Sequence, residues 1–196
     1  MIALQGVSFG YPGQEYILDH VDLTMPEQGI CAVMGPSGSA KTTLLRLIAG
    51  LEKPIEGTIS GRDEQKIIMM FQEDRLLPWC TVMENVMLGM PSPVHQTARH
   101  LLTLVELDDV ADRYPPTLSG GMRRRVALAR AVAAEPDILL LDEPFNGLDT
   151  DVKLRISPFL REAAKLIVFT THDGDEVKMM ETERIFRIEG KNIIKL

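Results

Sequence analysis

Gly35-Pro36-Ser37-Gly38-Ser39-Ala40-Lys41-Thr42-Thr43 decides the fold of this 196-residue chain. The apolar run Ile30-Cys31-Ala32-Val33-Met34 precedes it. Thr43-Leu44-Leu45-Arg46-Leu47-Ile48-Ala49 follows at helical spacing and closes on Gly50. The order is buried strand, loop, helix. Small loop residues let backbone N–H groups turn inward around a polyphosphate, and the helix start adds the positive end of its dipole. In that arrangement Lys41 reaches the β- and γ-phosphates, and the Thr42 hydroxyl coordinates Mg²⁺. Taken alone, the stretch also fits a Ser/Gly-rich turn capping an ordinary helix.

The phosphate-loop pattern calls for a second glycine where Ala40 stands. Glycine suits that place because it tolerates φ > 0. A left-handed Ala40 would cost roughly 1–2 kcal/mol, whereas a helical one would cost almost nothing. The sequence leaves both open.

With 45% hydrophobic and 25% charged residues, the composition is that of an ordinary globular domain. A net charge of −7 argues against a general nucleic-acid binder, so no nucleic-acid partner is expected. Cys31 and Cys80 lie far apart, which suggests neither a disulfide nor a zinc site and fits a reducing compartment. Met1 to Gly6 has no basic segment leading into a long apolar one, so no secretory signal is expected. Apolar runs reach only about five residues, far below the ~20 that span a bilayer. Any membrane role must go through a partner.

Residues 2–9 and 16–23 alternate apolar and polar around the turn signal Gly10-Tyr11-Pro12-Gly13, as two antiparallel edge strands would. Tyr11 in that turn can stack on an adenine or simply pack locally. Gly57 to Gly61 reads as a short strand, and Ile67 to Phe71 as a buried one that brings the Gln72 amide out beside the phosphate site. Leu76, Leu77 and Trp79 then crowd around Pro78, either as a loop with its own small core or as an apolar patch offered to another protein. Thr81-Val82-Met83-Glu84 is a capping box, with Val82, Val86 and Met90 on one helical face. Further helices are expected over Thr97–Glu106 and Asp109–Arg113, which makes about 73–135 an all-helical insertion.

Ser119 is placed to cap a helix through Val126–Ala134, with Gly120 and Gly121 leaving its first amides uncovered. Arg123, Arg124 and Arg125 there oppose the helix dipole, each by roughly 0.3–1 kcal/mol. A bound anion would reverse that sign; three solvated arginines are the alternative. Ile138-Leu139-Leu140-Leu141 reads as a strand buried on both faces, and it ends in Asp142 and Glu143 on the edge where parallel sheets bind ligands. Asp142 would hold Mg²⁺ through water, and Glu143 could polarise an attacking water. Residues 150–163 are helical by pattern, with Pro158 expected to kink or split them. Leu166–Thr170 is another buried strand, ending near His172, and Ile185–Ile188 with Ile193-Ile194 forms a closing hairpin.

In order, the phosphate loop, Gln72, Leu118-Ser119-Gly120-Gly121, the Asp142-Glu143 strand, Asn146-Gly147-Leu148-Asp149 and His172 resemble the ATP-binding subunits of ABC transporters over nearly the whole chain. The resemblance implies an α/β P-loop NTPase fold of the ABC type. Its mixed, mostly parallel sheet has flanking helices, an antiparallel edge sheet and an inserted helical subdomain at about 73–135 in a single domain, 1–196. It implies ATP and Mg²⁺ as cofactors and a head-to-tail homodimer that sandwiches two ATP molecules. Ser119, Gly120 and Gly121 of one copy would then meet the γ-phosphate held by Lys41 of the other. Tyr11 takes the adenine-stacking place, and Gly35, Pro36, Ser37, Gly38, Ser39, Ala40, Lys41, Thr42 and Thr43 the phosphate-binding places. Thr42, Gln72 and Asp142 are the implied metal ligands. Glu143 is the implied base, aided by Lys41, Gln72 and the switch residue His172, and Asp149 takes the D-loop place among the nucleotide-site residues.

The segment Gln72–Trp79 looks like the branch importing nitrate, sulfonates and taurine, where it forms the groove for a membrane permease. A solute-binding protein in the same system and a peripheral place on the cytoplasmic membrane face follow from that branch. Ala40 and Met122 depart from the family pattern. Two rivals stand beside an importer ATPase: a soluble ABC-type ATPase outside transport, and a nucleotide-binding subunit with weak hydrolysis because of Ala40.

Overall fold

The structure, a computed structural model, describes residues 1–196. Alternation and aliphatic runs separate into two sheets. Strands β1 (Ile2–Phe9), β2 (Leu18–Met25) and β4 (Glu56–Ser60) form a three-stranded antiparallel sheet in the order β2-β1-β4. Strands β3 (Gly29–Met34), β5 (Ile67–Met70), β6 (Ile138–Leu141), β7 (Leu166–Thr171), β8 (Arg184–Glu189) and β9 (Asn192–Lys195) form the second sheet, in the order β5-β6-β7-β3-β8-β9. All of its neighbours run parallel except β8 and β9, which close it as an antiparallel hairpin.

Helix α1 (Lys41–Ile48) fills the space between the sheets. Leu44, Leu45, Leu47 and Ile48 are fully buried there with Val7, Val21, Cys31 and Val33. Burial pushes the Cys31 thiol up to about 11, which keeps it a protonated core group. The opposite face of the six-stranded sheet is covered by α4 (Gly120–Ala133), α5 (Thr150–Arg161) and α6 (Gly174–Met179). Strand β6 shows why four consecutive aliphatics are needed: Ile138 and Leu140 enter one core, Leu139 and Leu141 the other.

Between β5 and β6 the chain is helical. Helices α2 (Val82–Met87) and α3 (His95–Leu104) pack on α4 around their own core of Val82, Val86, Leu102, Val105 and Val126. The Thr81–Glu84 capping box is complete, with Glu84 N donating to Thr81 Oγ1 at 3.1 Å and Thr81 N to Glu84 Oε2 at 2.7 Å. Helix α2 stops at Met87, so Met90 lies beyond it. The short helix expected over Asp109–Arg113 is a single 3-10 turn, Asp108–Val110, and a second 3-10 turn spans Pro115–Thr117.

Pro158 neither ends nor splits α5, which runs unbroken from Thr150 to Arg161. Proline removes the N–H that would have bonded the Leu154 carbonyl. The Ser157 hydroxyl donates to that carbonyl instead, at 3.2 Å, and so offsets the loss.

The segment around Pro78 combines both expected characters. Leu76 and Leu77 are half-buried, but Trp79 is 72% exposed. Its backbone is held by Asn85, which is fully buried in α2. Asn85 Oδ1 accepts from Leu77 N at 2.8 Å, and Nδ2 faces the carbonyls of Leu77, Cys80 and Thr81 at 3.1, 3.1 and 2.9 Å. Asn85→Ala should therefore cost about 2–3 kcal/mol in urea denaturation and speed proteolysis within residues 76–81. A loss below about 0.5 kcal/mol would show that other contacts hold the turn.

Candidate active site

Parallel pairing collects the chemistry-bearing residues at one sheet edge. Met34 of β3 pairs with Thr171 of β7, Leu141 of β6 with Phe169, and Met70 of β5 with Leu141. The residues just past each strand therefore emerge side by side: the Gly35–Ala40 loop, Gln72, Asp142 and Glu143, and His172.

Lys41 opens α1 and is 5% exposed. Its ammonium donates to the carbonyls of Gly35 and Pro36, both at 2.9 Å, which wraps the loop around the side chain. The loop turns at Gly38 (φ 79) and again at Ala40, whose φ of 65 and ψ of 17 are left-handed. The methyl of Ala40 is thus held in the costly alternative, at roughly 1–2 kcal/mol. The amides of Gly38, Ala40, Lys41 and Thr42 donate no hydrogen bond within the chain. Ser39 Oγ is buried without a partner. Unpaired donors around a helix start form an anion cradle, and they fit a polyphosphate.

Asp142 is 1% exposed and bonded at both oxygens. Thr42 Oγ1 donates to Oδ2 at 2.7 Å, and Thr170 Oγ1 donates to Oδ1 at 2.8 Å. The same Thr170 hydroxyl accepts from Glu143 N at 2.8 Å. No group of three or more His, Cys, Asp or Glu side chains converges anywhere. Thr42 and Asp142 fit Mg²⁺, which takes one or two protein oxygens and completes its shell with phosphates and water.

Glu143 has φ 47 and places its carboxylate over the loop. Oε1 lies 3.9 Å from Lys41 Nζ, and Oε2 accepts from Gln72 Nε2 at 3.5 Å. Tyr11 packs edge-on against Phe9, with ring centroids 5.2 Å apart, and its hydroxyl lies 3.3 Å from Thr43 Oγ1. Tyr11, Gln14, Ser37 to Thr43, Gln72 and Glu143 line an open cleft of about 330 Å³. A larger groove of about 1080 Å³, lined by Leu101, Val132, Pro158 and Phe159 among others, lies away from all these groups.

Five expected residues stand apart from the cleft. Ser119 caps α4 through Met122 N at 3.2 Å and is exposed, as is Gly120. Gly121 packs against the Asn146–Asp149 turn, where a Cβ would come within 3.2 Å of the Gly147 carbonyl. His172 is exposed and makes no hydrogen bond, and Asp149 starts α5 without a side-chain cap.

Two residues hold the site in roles that the sequence reading did not give them. Thr170 orients Asp142 and holds the Glu143 amide. Arg124 corrects the reading of the arginine run: 4% exposed, it neither faces solvent nor awaits an anion but donates to main-chain carbonyls. Its spacing to Leu128 and Ala131, at i+4 and i+7, is the signal that puts it on the buried face.

A family model described as ABC transporter matches residues 18–146, well over half of the chain. The chain belongs to the ABC transporter family. Its architecture is that of the ABC cassettes, seen in a dimeric post-hydrolysis structure of the ATP-binding cassette MJ0796 bound to ADP and Pi. That structure has a TM-score of 0.87 and 31% identity, covering 100% of this chain and 99% of that one. Among curated relatives, the sulfate/thiosulfate import ATP-binding protein CysA of Nephroselmis olivacea is 42% identical, over 89% of this chain and 56% of that protein. An aliphatic sulfonates import ATP-binding protein, SsuB 1 of Paraburkholderia xenovorans, is 39% identical, over 94% of this chain and 58% of its own length. The chain thus spans little more than half the length of these relatives. No helix of the ABC domain is long and apolar enough to cross a membrane.

The left-handed alanine gives a direct test of loop strain. Ala40→Gly should raise stability by about 0.5–1 kcal/mol, the relief of the methyl less the extra freedom glycine has when unfolded. The denaturation midpoint reads it, and an unchanged or lower midpoint would show that alanine is relaxed there.

Proposed function

We propose that residues 1–196 form a single ATP-binding and ATP-hydrolysing domain, with about 73–135 as its helical insert, and that it energises a membrane importer. One observation carries the ATPase reading: Lys41, Thr42, Gln72, Asp142 and Glu143 converge on a loop and helix start where the amides of Gly38, Ala40, Lys41 and Thr42 lack partners. ATP binds with its adenine near Tyr11 and its phosphates on the Gly35–Thr43 loop. Thr42, Asp142 and Gln72 hold Mg²⁺, which supplies charge neutralisation at the phosphate oxygens. Lys41 neutralises the β- and γ-phosphates, leaving the carbonyls it now holds. Glu143 positions the attacking water and takes its proton, within reach of Gln72 and Lys41.

Ser119, Gly120, Gly121 and Asp149 lie outside the cleft of a single copy, and a second copy supplies the reason, whereas His172 follows β7 at the loop's own sheet edge and reaches toward the γ-phosphate with Glu143 from the same copy. In a head-to-tail dimer the exposed start of α4 meets the γ-phosphate bound by the other copy, and its free amides stabilise charge developing there. The dimeric cassettes of the same fold support this.

For transport, the exposed Trp79 and Leu88 support a permease contact through Gln72–Trp79, at the cytoplasmic membrane face. The relatives' names support a small sulfur oxyanion or sulfonate as the solute; a solute-binding protein delivering it is part of the same proposal. Copurification with a multispanning permease would favour transport, and its absence a free-standing ATPase.

Glu143→Gln should lower kcat by roughly 10²–10⁴-fold while ATP still binds, and the variant should elute as a dimer with ATP and a monomer without it. Wild-type turnover in this variant would remove Glu143 from its role.

A further inference from the structure

We propose that Arg124 is a positioning residue that fixes the backbone carrying both Gln72 and Glu143, an inference that rests on the ATPase reading above. Its guanidinium lies between the two loops that leave β5 and β6. Nη1 donates to the carbonyls of Phe71 at 2.9 Å and Gln72 at 2.8 Å, and reaches Asp74 Oδ1 at 3.3 Å. Nη2 donates to the carbonyls of Asp142 at 2.6 Å and Glu143 at 2.5 Å, while Nε reaches Pro144 O at 3.3 Å. One planar group therefore ties two sheet-edge loops together through five main-chain oxygens.

A buried charge normally demands an opposite charge, because desolvation is expensive. Here the only carboxylate, Asp74, contacts one edge of the fork, and carbonyls satisfy the rest. The partners being backbone matters for function. Glu143 sits at φ 47, a conformation that persists only when neighbours over-determine it. Its N–H is held by Thr170 and its C=O by Arg124, so both flanking peptide groups are pinned. The pinned backbone sets the point from which the carboxylate reaches Lys41 and Gln72. Because Arg124 sits on α4, a shift of that helix moves both loops with it.

Arg130 on the same helix makes the comparison possible. It donates to the carbonyls of Asp74 and Arg75 but touches nothing on the Asp142–Pro144 side. A purely structural arginine predicts equal effects from the two positions.

The test uses the isolated chain with Mg-ATP, and Arg124→Met, Arg124→Lys and Arg130→Met. Arg124→Met should lower kcat on the order of tenfold to a hundredfold, as small displacements of reacting groups do, with ATP affinity within about twofold of wild type. In nucleotide-free protein, amide hydrogen exchange should quicken in residues 71–75 and 142–146 while α1 stays protected. Lys keeps the charge but cannot fork across both loops, so its kcat should fall between wild type and Met. If Arg124→Met fails to fold, the Lys variant decides: reduced kcat at unchanged melting temperature supports the positioning role. Wild-type kcat and local exchange in the Arg124 variants would overturn it, as would an equal loss in Arg130→Met. A wild-type chain that hydrolyses no ATP would instead sink the function itself, and this inference with it.

Discussion

The burial of the Lys41 ammonium is the constraint from which the site follows. An ammonium at 5% exposure needs acceptors, and here two carbonyls of the preceding loop supply them. That requirement curls Gly35–Ala40 over the start of α1 and turns the loop amides outward. The curl in turn needs positive φ at Gly38 and Ala40. Sheet order then decides what faces the loop. Because β3 pairs with β7 and β7 with β6, Asp142 and Glu143 arrive opposite Lys41 and Thr42 without any local signal to bring them together. Burial of the two cores, not the polar contacts, holds that register. A one-residue slip in β6 would exchange Leu139 and Leu141 with Ile138 and Leu140 between the layers.

Where a residue's role follows from its own chemistry and its neighbours in sequence, the sequence was legible. The aliphatic runs of β3, β6 and β7 and the amphipathic α1 gave the α/β frame, and the Thr81–Glu84 capping box was readable from spacing alone. Asp142 and Glu143 were readable as edge carboxylates because a doubly buried strand ends at them. Legibility failed where a contact that the sequence pattern does not specify offsets a local cost. Pro158 disrupts a helix by every local rule, yet Ser157 supplies the missing donor. Ala40 could sit on either side of φ = 0, since only the closure of the loop onto Lys41 chooses. Arg124 looked like one of three solvated charges because its acceptors are main-chain carbonyls up to 53 residues away in sequence. Ser119 marks another boundary: its type and position were readable, but no single copy of the chain brings it to the cleft.

The left-handed backbone positions sharpen the distinction between folding and function. Eight residues other than glycine have positive φ. Glu106, Glu135 and Glu181 follow the ends of α3, α4 and α6, where left-handed residues commonly terminate helices. Ala40 and Glu143 have no such excuse. One opens a helix and the other follows a strand, and both line the same cleft. The conformations are imposed by neighbours: at Ala40 by the loop carbonyls gathered on Lys41, at the Glu143 backbone by Thr170 and Arg124. Strain of this kind fixes two groups in place before any ligand arrives, and the rest of the fold supplies the energy that holds it. The unpaired amides of the loop complete the same logic, since a chain that leaves donors free around an ammonium is stable only because solvent, or an anion, can reach them.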